Sequence, residues 1–408
     1  MRILWLKTEL LHPVDKGGKI RTYQMLRRIR QAHDVTYLTL VRADDPAESL
    51  TRAGEYCRRL IPIPHQEVTK FSTRFYRDLA FNLSSPLPYA IQKYRSAAMQ
   101  EAIGHELQQA VYDAVVCDFL TPSVNFKPDP GTPAVLFQHN VESVIWKRHY
   151  ETQRQPLKRA LFHNQWQKML HYERDTCRQF AAVVAVSAAD REQMCGGFGI
   201  RHVFDVPTGV DTEYFRPLGG GRAADELVFT GSMDWLPNDD GICFFIEKIL
   251  PRLAQARPDV RLTVVGRNPT ARLRQMAAAD PRITVTGRVD DVRPYIDRAA
   301  AYVVPLRIGG GTRLKIYEAM AMARPVVSTT VGAEGLPVRD GRDLLIADDA
   351  EAFARAVLRT LEDQALARRL GEQARALVCE RFGWEHAADS FMQICEGVVR
   401  RASPRRAA

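Results

Sequence analysis

Short apolar runs alternate with longer amphipathic stretches along nearly all of this 408-residue chain. In the first half the runs are RILWLK (2–7), DVTYLTL (34–40), RLIPI (59–63), DAVVC (113–117), PAVLF (133–137), AAVVAV (181–186) and HVFDV (202–206). In the second half they are ELVFT (226–230), RLTVVG (261–266), ITVTG (283–287), AYVVP (301–305), PVVST (325–329) and LLIA (344–347). They are rich in β-branched residues, and most are continuously apolar rather than alternating, the pattern of strands buried on both faces. The segments between them are long enough for crossover helices. An α/β protein with parallel sheets is therefore expected, closing on a pair of helices near 363–381 and 385–401.

This length exceeds one ordinary core, so two domains are expected. The stretch PLGGGRAADE (217–226) has three glycines and no apolar period, and reads as a linker. The organisation predicted is an N-terminal Rossmann-like domain over 1–205, a C-terminal one over 206–384 with its linker at about 217–226, and a C-terminal helix with a basic tail over 385–408. No internal repeat or extended low-complexity tract interrupts it.

Composition changes this picture little: 46% hydrophobic and 26% charged residues are ordinary for a globular protein. Charge changes it more. The formal net charge of +9 suggests an anionic ligand, an anionic membrane surface or nucleic acid. No RRM, KH or helix-turn-helix signature supports nucleic acid. No run approaches eighteen apolar residues, so no transmembrane helix is expected, and MRILWLKTELLHP reads as a first strand rather than a signal peptide. Cys57, Cys117, Cys177, Cys195, Cys243, Cys379 and Cys395 are scattered without a CxxC pair, as expected of reduced thiols in the cytoplasm. With no HExxH, Cys/His cluster or Asp-x-Asp pair, neither a metal nor another cofactor is expected.

The most informative stretch is GGGTRLKIYEAMAMARPVVSTTVGAEGL (309–336). A glycine run follows the strand AYVVPL and opens into a helix, whose N-terminal N–H groups favour phosphate. Gly311, Lys315 and Glu318 are spaced i, i+4, i+7 and share a helix face. A cation for phosphate and a carboxylate for ribose hydroxyls describe a nucleotide site; the plainer alternative is a Lys–Glu surface pair.

These residues, with four further segments in the same order, resemble the nucleotide domain of the retaining glycosyltransferases of family 4, of GT-B architecture. VPTGVDTEYFRP (206–217) is similar to the family's P-N-G-V-D-x-x-x-F-x-P. FTGSMDWLPNDDG (229–241) stands where the family has its first C-domain strand and loop. TGRVDDVRPYIDRAAAYVVPL (286–306) and RFGWEHAADSFMQI (381–394) resemble its later segments. The first half matches more loosely, through DKGGKIRTYQMLRRI (15–29), FQHNVES (137–143) and VVAVSAADREQM (183–194). The wording of FQHNVES and GSMDWLPN resembles a bacterial exopolysaccharide-associated subgroup.

The resemblance implies two Rossmann-like domains facing across a cleft, with the C-terminal helix packing back toward the first. It implies transfer of a sugar from a nucleoside-diphosphate sugar to a glycan or polyprenyl-linked acceptor, with retention and without metal, in the cytoplasm or on the inner face of the plasma membrane. Arg313 and Lys315, with backbone groups of Gly310, Gly311, Thr312 and Leu314, would stabilise the leaving diphosphate. Glu318 would hold the ribose. Gly17, Gly18, Gly231, Gly287, Arg288, Val289 and Glu334 are further donor-binding candidates. His139 is the candidate for catalytic contact, and Asp118, Asn140 and Ser187 are acceptor-side candidates.

Two departures stand out. The family often carries Arg and Lys in the loop that here reads GSMDWLPN, and it carries a Glu where this chain has Gly310. An epimerase or hydrolase, and a non-catalytic nucleotide-sugar-binding partner, therefore stay open as alternatives. Two segments, 58–81 and 147–178, interleave basic residues with aromatics; they read either as a solvated face or as a surface for an anionic membrane.

Overall fold

The computed structural model describes residues 1–14, 17–69, 71–129, 132–153, 155–308 and 314–406. They form two compact units: residues 1–207 together with 387–408, and residues 208–386.

In the first unit seven strands lie parallel in the order β3-β2-β1-β4-β5-β6-β7. They are β1 (Arg2–Lys7), β2 (Asp34–Val41), β3 (Arg59–Pro64), β4 (Ala114–Asp118), β5 (Ala134–Phe137), β6 (Ala182–Ala185) and β7 (Val203–Asp205). The second unit has six in the order β10-β9-β8-β11-β12-β13, also parallel. They are β8 (Ala223–Thr230), β9 (Arg261–Val265), β10 (Ile283–Gly287), β11 (Ala299–Val304), β12 (Val326–Ser328) and β13 (Leu345–Ile346). Every apolar run identified in the sequence is a strand. The continuous runs arise because helices cover both faces: Ile3, Leu4, Trp5 and Leu6 of β1 are all buried, as are all six residues of β11.

Strand order reverses between β1 and β4 in one sheet and between β8 and β11 in the other. Open α/β sheets bind ligands at such points, beyond the carboxyl ends of the strands. Lys7 and Asp118 are the last residues of β1 and β4, and Gly231 directly follows β8.

The stretch 217–226, expected as a linker, is instead fixed within the second unit. β8 already begins at Ala223, and the backbone N–H groups of Leu218 and Gly220 donate to the Asp297 carboxylate at 3.0 and 3.1 Å. That buried carboxylate also pairs with Arg324 at 2.9 Å. The chain passes between units upstream, at 207/208, and again at 386/387. Within the second unit the two crossing segments are tied together: Val210 N–H donates to Phe382 O at 2.7 Å, and Trp384 packs on Gly209.

The closing helix, Trp384–Arg406, delivers its residues from 387 onward to the first unit. Phe391 is fully buried there, with its ring 5.5 Å from Trp5 and 5.0 Å from Phe137.

Candidate functional site

The second unit places its polar candidates around the ends of β8, β9 and β10. Gly231, Gly266 and Gly287 follow or end these neighbouring strands. Gly231 N–H donates to Val265 O at 2.9 Å, and Gly266 N–H to Gly287 O at 3.1 Å. Gly266 (φ +159°) approaches so closely that a Cβ there would lie 1.7 Å from Gly231 O. Gly231 (φ +154°) is bare for a different reason. A Cβ would lie 2.6 Å from Asn238 Nδ2 and 2.7 Å from Lys315 Nζ.

Lys315 comes from the helix Leu314–Ala321, which buries Ile316, Tyr317, Ala319 and Met320 in the core. That apolar face turns Lys315 and Glu318, three residues apart, to one half-buried side. Lys315 Nζ donates to Asn238 Oδ1 at 2.7 Å and sits 4.1 Å from the Phe229 ring centre. Asn238 is buried in the helix Leu236–Phe244, and its Nδ2 donates back to Ser232 O at 2.8 Å. The GSMDWLPN loop carries no cation of its own, and the structure supplies cations to it from elsewhere. Lys315 reaches Asn238, and Arg267, just past β9, donates from Nε to Ser232 Oγ at 3.0 Å.

The Glu318 carboxyl makes no hydrogen bond to the described residues. Burial pushes its carboxyl up to about 7, against the pull of Lys315. A carboxylate so placed gains from a ligand hydroxyl.

Gly310, Gly311, Thr312 and Arg313 lie outside the described residues. Leu314 packs against the core, and so does Val289. Gly287 adopts φ +72° with open space around it, and Arg288 beside it is exposed. Glu334 is exposed in the turns after β12.

The first unit places Asp118 and His139 together. Asp118 is fully buried; its Oδ2 accepts from Thr22 Oγ1 (2.7 Å), Trp5 Nε1 (2.9 Å) and Lys7 Nζ (3.0 Å). Burial alone would raise its pKa, but the Lys7 ammonium, His139 and Thr22 hold it well below the usual carboxylate range. His139 Nε2 lies 2.7 Å from Asp118 Oδ1, without the alignment of a full hydrogen bond. The imidazole is buried too, which lowers its pKa to about 3 against the pull of Asp118 and leaves it neutral. Phe119 stacks on it at 3.8 Å between ring centres. Phe119 holds the left-handed φ of +76°, a strained position for a bulky residue. Its ring also fills the space beside Gly18, where a Cβ would lie 2.6 Å away. Gly17 is exposed with nothing within 4 Å of its Cβ position.

Asp118, expected on the acceptor side, thus has no exposed surface and lies against His139. Ser187 caps the helix Ala188–Phe198, accepting from Asp190 N–H at 3.1 Å and donating to Asp190 Oδ2 at 2.7 Å. Asn140 is exposed.

Several contributors escape a reading of the sequence alone. Lys7, Trp5 and Thr22 come from a strand and a helix that otherwise read as framework. A charged residue ending a buried strand was the available signal. Glu173 caps the helix Glu142–Thr152: its carboxylate accepts from Gln138 Nε2 at 3.1 Å and from the N–H groups of Glu142 and Ser143 at 2.8 Å. It thereby holds the turn that carries His139 and Asn140.

Comparison with known proteins bears on the family and the fold. The family profile described as Glycosyltransferase Family 4 matches residues 16–214, and that described as Glycosyl transferases group 1 matches residues 224–363. An uncharacterised 44.6 kDa protein in the cps region of Klebsiella pneumoniae is 20% identical, over 88% of this chain and 90% of its own. The MMP α-(1→4)-mannosyltransferase of Mycolicibacterium hassiacum is 26% identical, over 58% of this chain and 59% of its own. The phosphatidyl-myo-inositol mannosyltransferase of Mycolicibacterium smegmatis is 30% identical, over 53% of this chain and 57% of its own. The match to these two mannosyltransferases thus spans little more than half their length. Among solved structures, the sucrose-phosphate synthase of Thermosynechococcus elongatus superposes with a TM-score of 0.69 at 19% identity, covering 98% of this chain and 99% of its own. Anabaena HepE in complex with UDP gives 0.67 at 14% identity, covering 97% and 100%. These likenesses show the GT-B fold. With both family profiles matched in order along the chain, this protein belongs to the family 4 glycosyltransferases, also described as glycosyl transferases group 1.

Proposed function

We propose that this glycosyltransferase moves a sugar from a nucleoside-diphosphate sugar to a glycan or lipid-linked acceptor, with retention of configuration, in exopolysaccharide or other cell-surface polysaccharide synthesis. The observation that carries this reading is the pair Lys315 and Glu318 on one side of a helix, with Lys315 held beside bare Gly231. The leaving diphosphate needs positive charge fixed in place before the bond breaks, and a lysine already braced by Asn238 needs little reorganisation to supply it. Glu318 accepts the ribose hydroxyls. Arg313 and the backbone of Gly310, Gly311 and Thr312 complete the phosphate contacts, with Gly287, Arg288 and Val289 toward the base and Glu334 toward the sugar. His139, expected to contact the sugar, is neutral with both ring nitrogens buried beneath Phe119, so it serves the framework beside Asp118 and not as a contact to the sugar. The reaction needs no metal, because fixed cations do the neutralising. The phosphatidyl-myo-inositol mannosyltransferase relative supports a lipid-linked acceptor, the cps-region relative supports a role in polysaccharide synthesis, and the UDP bound in HepE supports a nucleotide-linked donor.

The test is turnover of a panel of nucleoside-diphosphate sugars with a polyprenyl-diphosphate-linked glycan, reading the product's anomeric configuration by NMR. A product with the donor's configuration is expected. An inverted product would overturn retention, and free sugar or epimerised donor formed without acceptor would replace the transferase reading with a hydrolase or epimerase. One feature favours a second reading. Gly310 stands where the family has a Glu, as a non-catalytic nucleotide-sugar-binding partner would tolerate. Nucleotide binding without turnover of any donor would establish it.

A further inference from the structure

We infer that Arg267 is a further catalytic cation for the donor's diphosphate, brought from the end of β9 to a loop that has no cation of its own; this rests on the reading of Lys315 and Glu318 as a nucleotide site. Lys315 reaches the space beside Gly231 through Asn238. Arg267 reaches the next residue, donating from Nε to Ser232 Oγ at 3.0 Å. It stands at the carboxyl end of the sheet, where β9 lies between β8 and β10. A departing diphosphate carries more charge than one lysine neutralises, and a second fixed cation lowers the cost of releasing it.

The backbone beneath Arg267 is held on several sides. Gly266 before it finishes where no Cβ fits, and Arg267 O accepts from the N–H of buried Met233 at 2.9 Å. Asn268 after it adopts the left-handed φ of +53°, which asparagine tolerates, and its Nδ2 donates to Asp234 Oδ2 at 2.8 Å. Thr270 caps the helix Ala271–Ala279 and donates to Asp239 Oδ1 at 2.7 Å. These ties join the loop after β8 to the loop after β9, and Arg267 lies where the two meet.

An exposed arginine is ordinarily a solvated one or half of a surface ion pair. Arg257, Arg282, Arg293 and Arg307 of the same unit each end on a carboxylate at 2.6 to 2.7 Å. Arg267 forms no ion pair among the described residues, although Asp234 feels its charge. Asp234 is occupied by others: its Oδ1 accepts from Ser232 Oγ and its Oδ2 from Asn268 Nδ2, and these two bonds hold its carboxyl below the usual carboxylate range. Arg267 thus spends Nε on Ser232, which aims the side chain, while its terminal nitrogens make no hydrogen bond to the described residues. A guanidinium keeps its charge at any working pH, and its fork takes two phosphate oxygens at once.

The experiment is calorimetric titration of the full chain with whichever of UDP, GDP and ADP the wild type binds, repeated on Arg267→Ala and Arg267→Lys. Arg267→Ala should weaken binding about tenfold or more. Arg267→Lys keeps the charge without the fork, and should recover part of that loss. Asn268 and the Arg267 backbone still hold the loop in both variants, so hydrogen exchange over residues 230–235 should stay as in wild type. Arg267→Ala that binds as tightly as wild type would overturn the proposal. So would weakened binding that Arg267→Lys does not recover, or that comes with lost protection over 230–235, since either makes Arg267 a structural tie. A wild type that binds none of the three nucleotides overturns the Lys315 and Glu318 reading itself, and is seen before any variant is made.

Discussion

At the scale of single residues the protein holds two carboxylates in opposite states. Asp118 is ionised among Lys7, Thr22 and Trp5, whereas the Glu318 carboxyl makes no hydrogen bond to the described residues and is driven up to about 7 by burial. Each makes a prediction of its own sign. A raised carboxyl favours folding only while protonated, so Glu318 costs the free protein nothing below about pH 4.5. The cost grows as pH rises toward and past 7, to at most about 3 kcal/mol. Glu318→Gln should therefore leave stability unchanged at pH 4.5 and raise it at pH 8, measured by urea unfolding at both pH values. Equal stability of variant and wild type at pH 8 would contradict the strained carboxylate. Asp118→Ala should behave oppositely, losing about 3 to 5 kcal/mol at neutral pH because it strands the buried Lys7 ammonium. The same unfolding curves check it.

Residue types in the 309–336 stretch made Lys315 and Glu318 legible from sequence, because a helix fixes which positions share a face. The brace on Lys315 was not legible. Asn238 lies 77 residues away, and nothing local distinguishes it from any other polar residue early in a helix. Likewise His139 could be picked out at a strand end, but its burial under Phe119 could not.

At the scale of elements the second unit depends on how closely β8 and β9 finish. Gly266 meets the Gly231 carbonyl where no Cβ fits, and Gly231 meets Asn238 and Lys315. Gly266→Ala must push the two strand ends apart, since the clashing atom is backbone and cannot turn aside. It should destabilise the second unit by about 3 kcal/mol or more and displace Lys315 from Asn238. Hydrogen exchange over residues 227–231 and 262–266 is the readout, with protection lost there and kept in β1 to β6. The strands themselves were plain in the sequence because two-faced burial leaves continuous apolar runs. The supposed linker misled for an equally physical reason. Glycines and charge signal a free segment only when nothing pins them, and Asp297 pins this one from the helix Arg293–Arg298.

At the scale of the whole molecule, the chain's last helix begins in one unit and packs in the other. Phe391 packs beside Trp5 and Phe137, on the strands that end at Lys7 and Phe137. Phe391→Ala should cost about 3 to 5 kcal/mol, confined to the first unit. Exchange should rise in β1 and β5 while β8 to β12 stay protected; equal loss in both units would contradict the assignment of this helix.

The central claim is that Lys315 and Glu318 bind a nucleoside diphosphate. Calorimetric titration of UDP, GDP and ADP in the presence of EDTA, into wild type and Glu318→Ala, tests it most directly. The account predicts micromolar binding of one nucleotide, independent of metal and lost in the variant. A folded wild type that binds none of the three, or a variant that binds as tightly as wild type, would contradict it.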